Sequence, residues 1–192
     1  MKITAAVARS GVPGFTVEAL SLDAPRDTEV MVRIAGVGLC HTDVVVRETG
    51  EAWYPFPAVL GHEGAGIVEA VGSEVWSVKQ GDVVVLSFAS CGACRPCRTA
   101  SPAHCDAMLA LNFRGRRPDG STALHDAAGP VSSHFFGQSS FASHVIADAS
   151  NVVRVDDDLP LDLLGPLGCG IQTGAGAVFH SLERATEIAC SY

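Results

Sequence analysis

The chain has 192 residues, 47% of them hydrophobic and 18% charged, with 20 glycines and a formal net charge of −8. That length suits one well-buried domain with room for a fragment of a second, and the composition excludes a disordered tail. The acidic balance, with 13 Lys and Arg scattered except at Arg114-Gly115-Arg116-Arg117, excludes a nucleic-acid footprint.

Met1-Lys2-Ile3-Thr4 carries one charge and then alternates. It has neither the apolar run of a signal peptide nor the length of a membrane span, so the expectation is a cytoplasmic, membrane-free protein. From Ile3 to Val155 short apolar runs rich in Val and Ile are broken by Gly, Pro, Asp and Asn, a β-rich pattern that favours a barrel or sandwich. Strands are expected at Glu29–Ile34, Ala65–Val71, Asp82–Leu86 and Phe141–Ile146. Between them, Cys91 to about Gly137 reads as an irregular, polar excursion. From Ile171 onward the prolines stop, and Ile171, Ala175, Val178, Phe179 and Leu182 fall near one helical face. Gly174 and Gly176 weaken that helix by about 1 kcal/mol each relative to Ala.

The chemistry lies in the cysteines. Seven of them, an odd number in a chain without an export signal, point toward metal ligation rather than a disulfide framework. Cys91, Cys94, Cys97 and Cys105 form C-x2-C-x2-C-x7-C, in which three closely spaced thiols can wrap one ion and the fourth completes a tetrahedron. A structural zinc is the favoured reading, with Arg95 and Arg98 placed to offset the charge of a zinc tetrathiolate. Two disulfides or an iron–sulfur cluster are the competing readings, although Asp106 stands where a ferredoxin would usually place Pro.

Gly61-His62-Glu63-Gly64-Ala65-Gly66 puts a histidine and an acid at a glycine-rich entry to a strand. Alone, His62 would more often be a hydrogen-bonded histidine. Cys40 lies upstream in Cys40-His41-Thr42-Asp43 and Cys169 downstream in Gly168-Cys169-Gly170. One histidine and two thiolates would make a neutral zinc site with an open position.

With these residues the chain resembles the zinc-containing medium-chain alcohol dehydrogenases. The signature G-H-E-x2-G-x5-G-x2-V is met by Gly61, His62, Glu63, Gly66, Gly72 and Val75, and the order Cys, His-Glu, four-Cys lobe, Cys-Gly is also that family's. Phe136–Ala142 and Gly168–Gly174 look most like its aryl- or benzyl-alcohol branch. The resemblance implies a mainly β, GroES-like distorted barrel over residues 1–170, a zinc lobe at about 88–137, and a helix over 171–192 leading toward a nucleotide-binding domain. It implies two zinc ions: a catalytic one on Cys40, His62 and Cys169, and a structural one on Cys91, Cys94, Cys97 and Cys105.

Glu63 is then a nearby carboxylate, Asp43 the acceptor that fixes the tautomer of His62, and Thr42 the proton acceptor from the alcohol. Capping roles are the plainer alternatives for Asp43 and Thr42. His41 and Thr173 fall where the family meets its NAD(P), and Val45 stands where some relatives carry a relay histidine. The implied reaction oxidises a primary, benzyl-type alcohol to the aldehyde, with small molecules as partners and a homo-oligomer as the complete enzyme. No G-x-G-x-x-G turn occurs, and Arg184-Ala185 replaces an expected Pro-Gly. The expectation is therefore a truncated chain with uncovered apolar surface and negligible turnover alone. The alternative function is an inactive zinc-binding fragment or interaction module, with Cys190 as a leftover thiol.

Overall fold

The computed structural model describes residues 1–181. Leu182, Arg184-Ala185 and Cys190 lie outside the described residues, as does the end of the expected helix.

The strands are β1 (Lys2–Ala8), β2 (Thr16–Leu22), β3 (Glu29–Val37), β4 (Ala58–Val59), β5 (Gly64–Val71), β6 (Val83–Leu86), β7 (Leu124–His125), β8 (Pro130–Val131), β9 (His144–Asp148) and β10 (Val152–Arg154). They form two antiparallel sheets, β4-β1-β2-β7-β8 and β10-β6-β5-β3-β9. A parallel bridge between Ala58 and Ser132 joins the outer ends of the first sheet, so it curls back on itself. The expected distorted, mainly β barrel is therefore the fold found. Ile3, Val7, Leu20 and Leu22 of the first sheet pack with Met31 and Ile146 of the second; alternation sends Ile3, Ala5 and Val7 of β1 and Leu20 and Leu22 of β2 inward.

Three of the four expected strands coincide with β3, β5 and β6 to within a few residues. The fourth begins later: Phe141–Ser143 belongs to a crossing between sheets. Ala142 bridges Ala5 of the first sheet, and pairing with β3 starts only at His144. Part of the expected 88–137 lobe is regular, since β7 and β8 lie within it. Leu124 and Val131 are buried in the barrel core, and β7 and β8 extend its first sheet. Two-residue strands carry no readable alternation, which is why the sequence hides them.

The helices are α1 (His41–Thr49), α2 (Arg95–Arg98), α3 (Met108–Asn112) and α4 (Gly170–Gly176), with a π-helical turn over Ala177–Ser181 continuing α4. The expected helix after Cys169 is present. Its apolar residues are not buried, with Ile171 and Phe179 52% and 64% exposed. Within the basic run, Arg117 is internal: its Nε and Nη2 donate to the two Glu29 oxygens at 2.6 and 2.9 Å. A charge cluster that looks solvated thus ties the end of the excursion to the start of β3.

Candidate metal centres

The first centre is local. Cys91, Cys94, Cys97 and Cys105 bring their sulfurs within 4.8 Å of one another. Cys94 Sγ lies 3.4 Å from Cys97 Sγ and 4.0 Å from Cys105 Sγ, and Cys91 Sγ 4.0 Å from Cys97 Sγ. A disulfide needs about 2.05 Å, and all six described cysteines are free. Four sulfurs about 2.3 Å from one tetrahedral ion would be roughly 3.8 Å apart, so the observed edges fit an ion. Backbone N–H groups also turn inward, Cys94 N donating to Cys91 Sγ and Cys91 N to Cys105 Sγ, each at 3.3 Å. Donation from the backbone of Cys94 and Ala93 brings the Cys91 thiol down to about 6, toward the thiolate a metal requires.

The second centre is assembled from distant segments. Cys40 precedes α1, His62 and Glu63 precede β5, and Cys169 precedes α4; their ligand atoms also lie within 4.8 Å of one another. His62 is 1% exposed and its Nε2 has no hydrogen-bond partner. A buried imidazole nitrogen left bare is costly unless something binds it, and two thiols and a carboxylate surround this one. The donor set, two thiols and an imidazole with a carboxylate beside them, therefore fits zinc.

Asp43, fully buried, organises this centre. Its Oδ2 accepts from Cys40 N at 3.1 Å, while Oδ1 accepts from Gly61 N at 3.0 Å and faces His62 Nδ1 at 3.1 Å. One carboxylate thus faces both the backbone N–H before α1 and the ring nitrogen of His62. Burial works against charging His62, but Asp43 outweighs it and lifts the ring above its ordinary value of 6.5. Burial also pushes the Cys169 thiol up to about 11. For Cys40, burial is outweighed by donation from Thr42 and by the neighbouring His62, so its thiol sits below the ordinary value.

Two glycines make room. Gly61 has φ +89°, and a Cβ there would stand 2.6 Å from the Phe141 ring. At Gly38 a Cβ would run into the Glu63 carboxylate. Glu63 Oε1 accepts from Gly170 N at 2.9 Å, which fixes the start of α4 beside the centre.

Thr42 is half-buried with Oγ1 3.6 Å from Cys40 Sγ. His41, at the start of α1, and Thr173, midway along α4, are exposed, and Val45 is 41% exposed. Apolar side chains adjoining the ligands in sequence, Leu39 and Ile171, are 70% and 52% exposed. Sequence reasoning gave no role to Phe136 or Gln138. Phe136 stacks on His62 with ring centres 4.5 Å apart, and it lines a cavity of about 310 Å³ with Phe88, Ala103, Met108, Cys169 and Thr173. Gln138 bonds the backbone around His62. The only signal for either was the Phe136–Ala142 motif, which marked a resemblance without assigning contacts.

Residues 26–157 match the family model described as the alcohol dehydrogenase GroES-like domain. The geraniol dehydrogenase of Castellaniella defragrans is 55% identical over 179 residues, covering 93% of this chain and 48% of that protein. Among solved structures, an alcohol dehydrogenase zinc-binding domain protein from Burkholderia ambifaria superposes with a TM-score of 0.91 at 53% identity, over 95% of this chain and 50% of that one. The benzyl alcohol dehydrogenase of Acinetobacter calcoaceticus gives 0.88 at 45% identity, over 95% and 49%. The chain thus spans about half the length of the curated relatives it matches.

Proposed function

This chain belongs to the zinc-dependent medium-chain alcohol dehydrogenases through its GroES-like domain, and from that premise we propose that it supplies the alcohol-handling half of such an enzyme. Cys40, His62 and Cys169 would hold the catalytic zinc, and Cys91, Cys94, Cys97 and Cys105 a structural one. The observation that carries this reading is the buried His62 ring, bonded to Asp43 on one nitrogen and bare on the other, amid two thiols. Zinc would supply Lewis acidity that eases loss of an alcohol proton near neutral pH, and NAD(P) would accept the hydride.

Thr42 Oγ1 would take the alcohol proton and pass its own hydrogen to solvent, because Val45 offers no relay group. Asp43 keeps His62 protonated on Nδ1, so that Nε2 presents its lone pair to the ion. Phe136, Phe88 and Met108 exclude water and receive an apolar, planar substituent, which favours benzyl-type primary alcohols. His41 and Thr173, on the exposed side, would contact the nicotinamide cofactor. Cytoplasmic residence and homo-oligomeric assembly of a full-length enzyme belong to the same proposal, as does a domain division at residue 170.

Alone, the chain should oxidise benzyl alcohol negligibly, because positioning of hydride donor and acceptor can be worth about 7–11 kcal/mol and the described residues contain no dinucleotide-binding βαβ unit. A test independent of turnover is the absorbance of a conjugated aromatic aldehyde that shifts on contact with a Lewis acid. The zinc-loaded chain should shift it and Cys169→Ser should not. Equal spectra with both chains would overturn the proposal.

A further inference from the structure

The backbone just before β5 has no strand beside it on one side, and a side chain fills the gap. Gln138, 2% exposed, donates from Nε2 to His62 O at 2.9 Å and accepts at Oε1 from Gly64 N at 3.1 Å. In a parallel bridge, the N–H and C=O of one residue bond the carbonyl before and the N–H after the residue it faces. The Gln138 amide makes this pattern around Glu63.

It also reaches Ser87 O, just past β6, at 3.3 Å and receives Ser140 Oγ at 2.5 Å, so its two donors and two acceptor sites are all used. The side chain thereby continues the β5–β6 pairing into the metal centre, beyond the Ala65–Val85 pair where the backbone ladder stops. Two residues away, Phe136 stacks on the His62 ring. The 136–138 turn therefore holds both the ring of His62 and the peptide groups on either side of Glu63.

We propose that Gln138 is a positioning residue for the second metal centre, setting where His62 and Glu63 stand relative to Cys40 and Cys169. This rests on the reading that these residues bind a metal, and the experiment separates the two. The full 192-residue chain is loaded with Co2+, and the spectrum of His62→Ala, which retains only the four-thiol centre, is subtracted to isolate the second centre. Gln138→Met keeps the side-chain length and removes all four hydrogen bonds. It should alter the isolated cobalt bands and speed cobalt loss from that centre to EDTA by about 10-fold or more, the usual scale for supporting groups around metal ligands. The four-thiol bands should stay unchanged, and an unchanged far-ultraviolet circular dichroism spectrum reports the intact barrel.

Ser139→Ala is the control for packing alone. It loses bonds to Val59 O at 2.7 Å and from Phe135 N at 2.9 Å in the same buried turn without touching residues 62–64, and it should leave the isolated bands and release rate as in wild type. Should Gln138→Met not fold, Ser140→Ala, which removes one bond to Oε1, should accelerate release a few-fold. Unchanged bands and release in the folded Gln138 or Ser140 variant, or equal changes in Ser139→Ala, would overturn the proposal. No isolated band in wild type would overturn the metal reading and this inference with it.

Discussion

The two centres hold similar atoms at similar separations, yet the chain builds them in opposite ways. In the 91–105 lobe four thiols come from one short segment, Cys91 is exposed, and the supporting bonds are backbone N–H groups of the same loop. The second centre takes Cys40, His62 and Cys169 from three segments that only the barrel brings together. Its supports are the buried side chains of Asp43 and Gln138. A local centre needs little from the fold, and metal binding there supplies order the polar loop lacks. A distributed centre depends on the barrel and, once loaded, should bind its segments together.

The largest effect that would sharpen this contrast is expected at Asp43. Asp43→Ala strands the Gly61 N–H and His62 Nδ1 in the interior and removes the acceptor of Cys40 N, which should cost on the order of 3–5 kcal/mol in urea unfolding. Metal at the four-thiol lobe should be retained. Loss of both metals at unchanged stability would break the comparison.

A second effect lies at the seam between lobe and barrel, where His134 shares a cavity of about 770 Å³ with Cys91, Arg117 and Glu29. Burial, followed by the Arg117 charge, brings the His134 ring down to about 4 from 6.5. The folded chain thus binds fewer protons here than the unfolded one between these values, so stability from this group is present above pH 6.5 and lost as pH falls toward 4. His134→Asn, which suits the φ of +64° at this position, should flatten that acid limb by on the order of 2–3 kcal/mol. Parallel pH–stability curves for the two chains would count against the assignment.

These sites also show what the sequence could and could not display. The four-thiol spacing and the Gly61–Gly66 motif are local patterns, legible because ligand geometry constrains neighbours. The apolar runs of β3, β5 and β6 were likewise plain. Hidden were β7 and β8, too short to alternate, and the inward course of Arg117, since a basic run looks solvated until its Glu29 partner is placed. Gln138 was hidden for a related reason: a glutamine acting as a strand has no pattern of its own, and its partners at 62, 64 and 87 are distant in sequence. The place of Asp43 beside His62 was expected only through the family resemblance, since nothing in the 40–43 segment by itself points to residue 62.

The smallest effect on global stability is expected at the lobe. Cys105→Ser should release one metal and open the 91–105 loop to protease while shifting barrel unfolding by less than about 1 kcal/mol, as a locally unfolding unit would. A collapse of the whole fold would show that the lobe is not the independent element described here.

Metal content measured by native mass spectrometry on the zinc-replete chain and two variants bears most directly on the pair of centres. The two-centre arrangement predicts two zinc ions for the wild type, one for His62→Ala and one for Cys105→Ser, each variant losing the ion at its own centre. A single ion in the wild type, or loss of both from Cys105→Ser, would contradict it.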